Sequence, residues 1–177
     1  MTTFADMGLS PRILDRLSSK GFTDPTPIQS QAIPHILNGR DIMGLAQTGT
    51  GKTAAFGLPI LHHLWHVGTK PEDRSARALI LAPTRELASQ ITENLLIFSR
   101  DTHLKVALVV GGVSINTQIK RLQKGTDVLV ATPGRLLDLL NRRAITLSDA
   151  RYLVLDEADQ MLDMGFIHDL RKISTHL

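Results

Sequence analysis

The sequence predicts an α/β fold, with a mostly parallel β-sheet and helices on both of its faces. Five short apolar runs alternate with longer segments of helical periodicity, and most of the runs are apolar throughout. Strands of that kind are buried on both faces, as in parallel sheets joined by right-handed crossover helices. At 177 residues the chain suits one domain with a sizeable core. The five runs are residues 41–45, 78–82, 106–110, 127–131 and 152–155.

The segment before the first predicted strand carries the start and stop signals of two helices. Ser10-Pro11 combines an N-cap residue with a first-turn proline, and Gly21 ends the predicted helix. Thr26-Pro27 repeats the start signal, and Gly39 closes the second helix. We expect Pro34 to kink or restart that second helix, because proline cannot donate an interior backbone hydrogen bond.

A glycine-rich turn after the first predicted strand reads Ala-Gln-Thr-Gly-Thr-Gly-Lys-Thr from residue 46. Strand, glycine-rich turn, Gly-Lys-Thr and helix are together typical of a phosphate-binding P-loop. Its glycines let backbone N–H groups approach phosphate, Lys52 supplies a cation, and the Thr53 hydroxyl can bind Mg²⁺. Ala46 replaces the first glycine of the general pattern, and a turn that merely connects strand to helix is the alternative. The predicted nucleotide-binding residues here are Gln47, Thr48, Gly49, Thr50, Gly51, Lys52 and Thr53.

Two acidic residues directly follow the last predicted strand. Asp156 can bind Mg²⁺ through water, and Glu157 can orient or deprotonate a water for attack on a γ-phosphate. Acidic residues also favour helix N-termini without any catalytic role. Because a P-loop is present, we interpret Lys52, Asp156 and Glu157 as catalytic. Thr53 and Asp156 are the predicted Mg²⁺ ligands, largely through water.

Turns after the other predicted strands fall on the same rim of the sheet as the P-loop. Ligands of parallel sheets bind at the carboxyl ends of the strands, and helix N-termini beside an arginine suit phosphate. Thr84 and Thr132 are also ordinary N-caps, and Gly111-Gly112 could be only a turn. The residues alone therefore fit both a phosphate-binding rim and a set of purely structural caps and turns. The residues concerned are Pro83, Thr84, Arg85, Gly111, Gly112, Thr132, Pro133, Gly134 and Arg135.

Composition and charge bear on which metal sites, binding partners and cellular compartment the chain can have. The chain has no cysteine, so it has no disulfide and no thiolate metal site, which fits a reducing compartment. Its formal charge of +3 is a mild indication of a nucleic-acid partner. His62 and His66 have the i,i+4 spacing of a metal pair beside His63, but no further ligand completes a site, so we expect solvated histidines. We expect no signal peptide and no membrane span. The expected compartment is the cytoplasm.

The motifs taken together resemble those of the DEAD-box RNA helicases. The acidic sequence Asp156-Glu157-Ala158-Asp159 spells the family's name. Residues 21–29, with Phe4 upstream, are similar to its adenine-reading Q motif. The sequence as a whole also resembles that of the bacterial RhlE branch of the family. The remaining matches follow in the family's order and extend the resemblance over nearly the whole chain: the P-loop, Pro83–Ala88, Gly111-Gly112 and Thr132–Arg135.

The resemblance implies a RecA-like P-loop NTPase fold and an ATP-dependent RNA helicase that binds ATP or ADP with Mg²⁺. Gln29 would bond the adenine edge with a donor and an acceptor, a pattern that disfavours guanine, and Phe22 would lie against the base. Asp159 would connect the nucleotide site to neighbouring motifs. Arg85, Gly112, Thr132, Arg135 and their neighbours on the same turns would contact the RNA backbone, in a single strand or at a duplex end.

Some features of the family pattern have no counterpart in residues 1–177. We expect an N-terminal ATP-binding domain, truncated at its C-terminus, with a Q-motif region at residues 1–40. The family's Ser-Ala-Thr strand is expected between residues 42–45 and 152–155. We therefore expect a foreign or swapped strand in its place, a rearranged sheet, or a folded chain that is longer than residues 1–177. The implied partners are RNA, a second RecA-like domain with arginine fingers, and ribosome-assembly or RNA-decay factors. A standalone nucleotide-gated RNA-binding module without turnover is the alternative function.

Overall fold

The computed structural model describes residues 1–177, the whole of the sequence. Contacts within the chain group these residues into two compact units. The first unit consists of residues 1–68 and 94–103, and the second consists of residues 69–93 and 104–177. None of the helices combines the length and the apolar character needed to cross a lipid bilayer.

The first unit is helical, and both predicted helix starts are confirmed. Helices α1 and α2 begin at the prolines that follow Ser10 and Thr26. Helix α2 continues through Pro34, so the predicted restart does not occur. Leu17, Ile33 and Leu58 are at most 1% exposed and mark the core of this unit. Its elements are a 3₁₀ helix at Phe4–Met7, α1 at Pro11–Ser19, α2 at Pro27–Leu37, α3 at Lys52–Val67 and the end of α4, which spans Arg85–Ser99.

The predicted strand before the P-loop is absent. Residues 40–47 form neither helix nor strand, and Met43 and Leu45 are 90% and 93% exposed. An extended segment becomes a stable strand only when a neighbour bonds its N–H and C=O groups, and no strand of the sheet pairs with this one. The expectation of a buried strand at residues 41–45 is therefore wrong. The glycine-rich turn follows an irregular segment instead.

The second unit contains a four-stranded, all-parallel sheet. Its spatial order is β2-β3-β1-β4, and Ala78 of β1 lies opposite Val128 of β3 and Tyr152 of β4. The other four predicted strands and the α/β fold class are therefore confirmed. The strands span Ala76–Leu81 (β1), Val106–Val109 (β2), Thr126–Ala131 (β3) and Tyr152–Leu155 (β4).

Four further helices belong to the second unit and pack with its sheet. Leu79 and Leu129 lie in one apolar cluster with helix residues that include Leu122, Leu136, Met161 and Ile173. Ile80, which points to the opposite side of β1, is 1% exposed, so both sides of this strand are buried. The helices are α5 at Ile115–Leu122, α6 at Pro133–Asn141, α7 at Ala158–Asp163 and α8 at Ile167–Ser174.

Strand β4 forms one edge of the sheet and is half exposed. Its one strand neighbour is β1, and Leu153 and Leu155 are 47% and 43% exposed. Residues 42–45 do not pair with β4, and because they form no strand, the place of another strand between them stays a prediction. The outer side of β4 therefore presents backbone N–H and C=O groups that no other strand of the chain bonds.

Candidate nucleotide-binding site and nucleic-acid interface

The glycine-rich turn has the local geometry of a phosphate-binding loop, although the strand before it is missing. Gly49 and Gly51 have φ angles of 84° and 81°, in the left-handed region that favours glycine. The Thr50 hydroxyl donates to the Gln47 carbonyl oxygen over 2.6 Å and closes the turn. Gly51 is the N-cap of α3, which begins at Lys52. The unbonded N–H groups of the first helical turn can bind an anion.

Gln29 connects the adenine-reading segment to this turn. Its side chain is buried, at 4% exposure. The Nε2 group donates to the Gly51 carbonyl oxygen over 3.1 Å, and Oε1 accepts a hydrogen bond from the Thr26 backbone N–H over 3.0 Å. A primary amide has two N–H groups and two oxygen lone pairs, so one of each remains for a base edge. The residue predicted to read adenine therefore also fixes one end of the phosphate-binding turn.

Phe22 and the start of α3 complete the predicted nucleotide-binding residues of the first unit. The Phe22 ring is 38% exposed, and its centroid lies 5.3 Å from that of Phe98 at a tilt of 57°. Its backbone N–H donates to the Leu17 carbonyl oxygen over 2.9 Å, which holds the residue beside the end of α1. Lys52 and Thr53 are the first two residues of α3 and are half-buried. An exposed aromatic face and a helix N-terminus with a lysine suit a purine and its phosphates.

One histidine near the end of α3, His62, is more enclosed than predicted, whereas His66 is exposed as expected. His62 is half-buried, and its Nδ1 accepts the Ser10 backbone N–H over 3.0 Å. The pKa of His62 lies below its ordinary value because burial, and then the charges of His66 and His63, disfavour protonation. No group of three or more metal-ligating side chains occurs in residues 1–177. The sequence signal missed at this position was the place of His62 one turn after Leu58, on the buried side of the helix.

The acidic motif occupies the carboxyl end of β4 in the second unit. Asp156 is 5% exposed, and its backbone N–H donates to the Leu81 carbonyl oxygen over 2.9 Å. Glu157 is the N-cap of α7 and has left-handed backbone angles of φ 51° and ψ 52°, a strained conformation for a residue with a Cβ. Asp159 lies in the first turn of α7. A buried carboxylate at a strand end supplies the hard oxygen ligand that Mg²⁺ prefers, so these residues fit the predicted ion.

Both of the predicted RNA-binding arginines bond to one loop, residues 111–113. The Arg85 Nη1 donates to the Gly111 carbonyl oxygen over 3.3 Å. A Cβ added at Gly112, where φ is 76°, would collide with the same guanidinium. From the other side, Arg135 Nη1 donates to the Val113 carbonyl oxygen over 2.9 Å. The structure therefore brings Arg85, Arg135 and the 111–113 loop together at the carboxyl end of β2, as the sequence predicts.

The N-cap interpretation holds for one of the two threonines at this rim. The Thr84 hydroxyl accepts the Leu87 backbone N–H over 3.2 Å, so it caps α4. Thr132 precedes α6 without a side-chain capping bond and is 8% exposed. Pro83 is buried, Pro133 is the first residue of α6, and Gly134 is exposed beside it.

Gln118 belongs to this interface, and the motifs in the sequence do not identify it. It is 4% exposed on α5, and its Oε1 accepts Arg135 Nη1 over 3.0 Å. The available signal was its place on the apolar stripe of that helix. Ile115, Gln118, Ile119 and Leu122 follow the i, i+3, i+4, i+7 spacing of a buried face, where a glutamine is unusual.

Comparison with known proteins decides the family. The family model "DEAD/DEAH box helicase" matches residues 26–177. The chain belongs to the DEAD/DEAH box helicases. Its relatives in this family include the DEAD-box ATP-dependent RNA helicase CshA of Bacillus cereus, 49% identical over 175 residues, which are 99% of this chain and 32% of the relative. The ATP-dependent RNA helicase DeaD of Escherichia coli is 49% identical over 177 residues, covering 99% of this chain and 27% of DeaD.

The fold is also that of a solved member of the family. The crystal structure of the RNA helicase Prp28 from Chaetomium thermophilum bound to ADP has a TM-score of 0.90 and 44% sequence identity to this chain. The match covers 98% of this chain and 42% of that protein. The chain thus spans a third or less of the length of the curated DEAD-box relatives it matches. The RecA-like α/β fold predicted by resemblance is confirmed.

Proposed function

We propose that residues 1–177 are the N-terminal, ATP-binding RecA-like domain of an ATP-dependent RNA helicase. The domain binds ATP or ADP with Mg²⁺ and binds the RNA backbone. In the whole protein it couples ATP hydrolysis to unwinding of RNA duplexes or remodelling of RNA–protein complexes. The observation that carries the nucleotide part is the hydrogen bond from Gln29 to Gly51, which joins a base-reading amide to a phosphate-binding turn.

For nucleotide binding, the base and the phosphates have separate recognition elements. Gln29 reads the adenine edge with its remaining N–H and lone pair, and Phe22 packs against the ring. The backbone N–H groups of residues 48–53, together with Lys52, bind the phosphates. The ADP bound to Prp28 supports an adenine nucleotide as the ligand.

For hydrolysis, the acidic motif provides the carboxylates of Asp156 and Glu157. Mg²⁺, when bound, neutralises charge on the phosphate oxygens. Thr53 and Asp156 are the residues that would hold the ion, largely through water, and Glu157 would orient the attacking water. Phosphoryl transfer is also accelerated by opposing arginines, which contribute about 10³- to 10⁵-fold in enzymes of this mechanism. A second RecA-like domain of the same protein supplies them, so residues 1–177 alone bind nucleotide with little or no turnover.

For RNA, the binding surface is the rim that carries Arg85, Arg135 and the 111–113 loop. The N-termini of α4 and α6 lie beside these arginines and add partial positive charge. Such groups contact phosphates without reading bases, so binding is independent of sequence and sensitive to salt. Ribosome-assembly or RNA-decay factors are candidate protein partners, and the cytoplasm is the proposed compartment.

The test of this function is base preference. Fluorescent ADP and GDP analogues are titrated into the 177-residue chain, the Gln29→Ala variant and a Gln31→Ala control. Gln31 is exposed on the same helix. We expect the unaltered chain and the control to bind ADP more tightly than GDP, and Gln29→Ala to lose that preference. Equal affinity of the unaltered chain for the two nucleotides would contradict the proposal.

A further inference from the structure

Gln118 is a buried polar side chain at a position where an apolar residue would pack without any hydrogen-bonding requirement. It is 4% exposed, within the second unit, and its neighbours on the same helix face are apolar. Burying an amide is unfavourable unless its donor and acceptor are both satisfied. Its nitrogen and its oxygen each make a hydrogen bond in this structure. The bonds that the amide makes therefore indicate why a glutamine occupies this position.

The two hydrogen bonds connect the segments that follow the carboxyl ends of two neighbouring strands, β2 and β3. Gln118 Nε2 donates to the Val110 carbonyl oxygen over 2.9 Å, and Val110 is the residue that follows β2. Gln118 Oε1 accepts Arg135 Nη1 over 3.0 Å, and Arg135 is the third residue of α6, which follows β3. One side chain thus holds the start of the 111–113 loop and the guanidinium that lies against the end of it.

Arg135 is restrained by this arrangement before any ligand arrives. Its Nη1 donates both to Gln118 Oε1 and to the Val113 carbonyl oxygen, over 3.0 and 2.9 Å. Two acceptors on one nitrogen of a planar group fix the plane, while Nε and Nη2 remain available to a phosphate. A long flexible side chain that is ordered in advance loses less conformational entropy on binding.

We propose that Gln118 is a positioning residue for RNA binding, which orients Arg135 and the 111–113 loop toward the RNA backbone. This inference rests on the proposed RNA-binding function. The loop also accepts Arg85 through the Gly111 carbonyl oxygen, so the same amide indirectly fixes the second arginine of the surface. Gln118 itself does not touch RNA in this arrangement, because it is buried beneath the loop.

The test is the affinity for a short fluorescein-labelled oligouridine, measured by anisotropy at low salt with the 177-residue chain. Gln118→Met keeps the length of the side chain and removes both hydrogen bonds. Gln90→Met makes the same change at an exposed position of α4 and serves as the control. We expect Gln118→Met to weaken RNA binding by about 3- to 10-fold, the range of one lost hydrogen bond, and to leave ADP binding unchanged.

A double-mutant cycle separates positioning from general structural damage. If Gln118 acts through Arg135, then Gln118→Met produces no further loss of RNA affinity in an Arg135→Ala background. An equal loss in both backgrounds, or no loss in either, would overturn the inference. Failure of the unaltered chain to bind the oligouridine, or an Arg135→Ala variant with full affinity, would overturn the proposed RNA function and this inference with it.

A charged variant provides an independent readout. Gln118→Glu places a carboxylate against Arg135, so the ion pair neutralises the arginine that would otherwise contact a phosphate. We expect the slope of log affinity against log salt to fall by about 0.7, the value for one phosphate contact on a single strand, whereas Gln118→Met leaves this slope nearly unchanged. Identical slopes for the two variants would contradict the assigned contact.

Discussion

The Gln29 amide donates to the Gly51 carbonyl oxygen over 3.1 Å, and there is no space for a side chain at Gly51. A Cβ at Gly51 would collide with Gln29 Nε2 and lie 2.9 Å from the Thr26 hydroxyl oxygen. The missing side chain therefore allows the base-reading segment to pack directly on the phosphate-binding turn. Glycine is needed at this position for two reasons: it lets Gln29 pack close to the backbone, and it adopts the positive φ angle.

We first predict that Gly51→Ala destabilises the nucleotide-free chain more than Gly49→Ala does. Both residues have positive φ, so each alanine costs on the order of 1 kcal/mol in backbone strain. No atom lies within 4 Å of a Cβ at Gly49, whereas the collision at Gly51 adds about 1–3 kcal/mol of overpacking. Urea unfolding monitored by circular dichroism measures the difference. Equal destabilisation would mean that the contact with Gln29 is not maintained in solution.

The second prediction concerns salt and RNA. Arg85→Ala removes one backbone contact, so the slope of log affinity against log salt should fall by about 0.7 for single-stranded RNA. The loss of affinity should be similar for oligouridine and oligoadenine, because phosphates carry no base identity. Arg100→Ala, at an exposed position of the first unit, is the charge-matched control. A loss of affinity confined to one base composition would argue for base contacts instead.

The third prediction compares a buried and an exposed ion pair. Arg77 Nη1 lies 3.4 Å from Asp127 Oδ1, and the two side chains are 14% and 2% exposed. Arg77→Met leaves the Asp127 carboxylate buried without its cation, although the Lys105 backbone N–H still donates to it, and also removes the bonds from Arg77 to residues 69–70. Together these losses should cost about 3–5 kcal/mol in the free energy of unfolding. Arg142→Met breaks the pair with Asp138, whose side chains are 53% and 45% exposed, and should cost less than about 1 kcal/mol. Chemical denaturation of both variants tests this ranking, which similar losses would contradict.

The fourth prediction is the pH dependence of the first unit. Protonation of His62 removes the lone pair that accepts the Ser10 N–H, and its pKa in the folded chain lies below the ordinary value. The unfolded chain therefore binds this proton more readily. The stability that His62 contributes is complete above about pH 6.5 and is lost as the pH falls through the folded pKa.

His62→Gln keeps an acceptor that does not titrate, and His168→Gln is an exposed control. We expect the thermal midpoint of the His62→Gln variant to fall less between about pH 7 and pH 5 than that of the control. Parallel curves for the two variants would show that His62 does not carry the effect.

The sequence predicted well those features that depend on local pattern. Runs such as Ala78–Ala82 are apolar because both sides of the strand are buried, and β1 spans nearly the same residues. The segment at residues 41–45 has similar local character, yet it is no strand, because strand formation also needs a partner that local sequence does not show. Gln118 was missed for the same reason. Its function depends on Val110 and Arg135, which the fold alone brings together.

The half-exposed edge at β4 has a consequence for how the isolated 177-residue chain behaves at high concentration. A short apolar strand with one open hydrogen-bonding side, and with Leu153 and Leu155 uncovered, is a template on which strands of other molecules can add. No lysine or proline interrupts β4 as a gatekeeper against such growth. We therefore expect the exposed edge at β4, and not the well-packed core behind it, to limit the solubility of the isolated 177-residue chain.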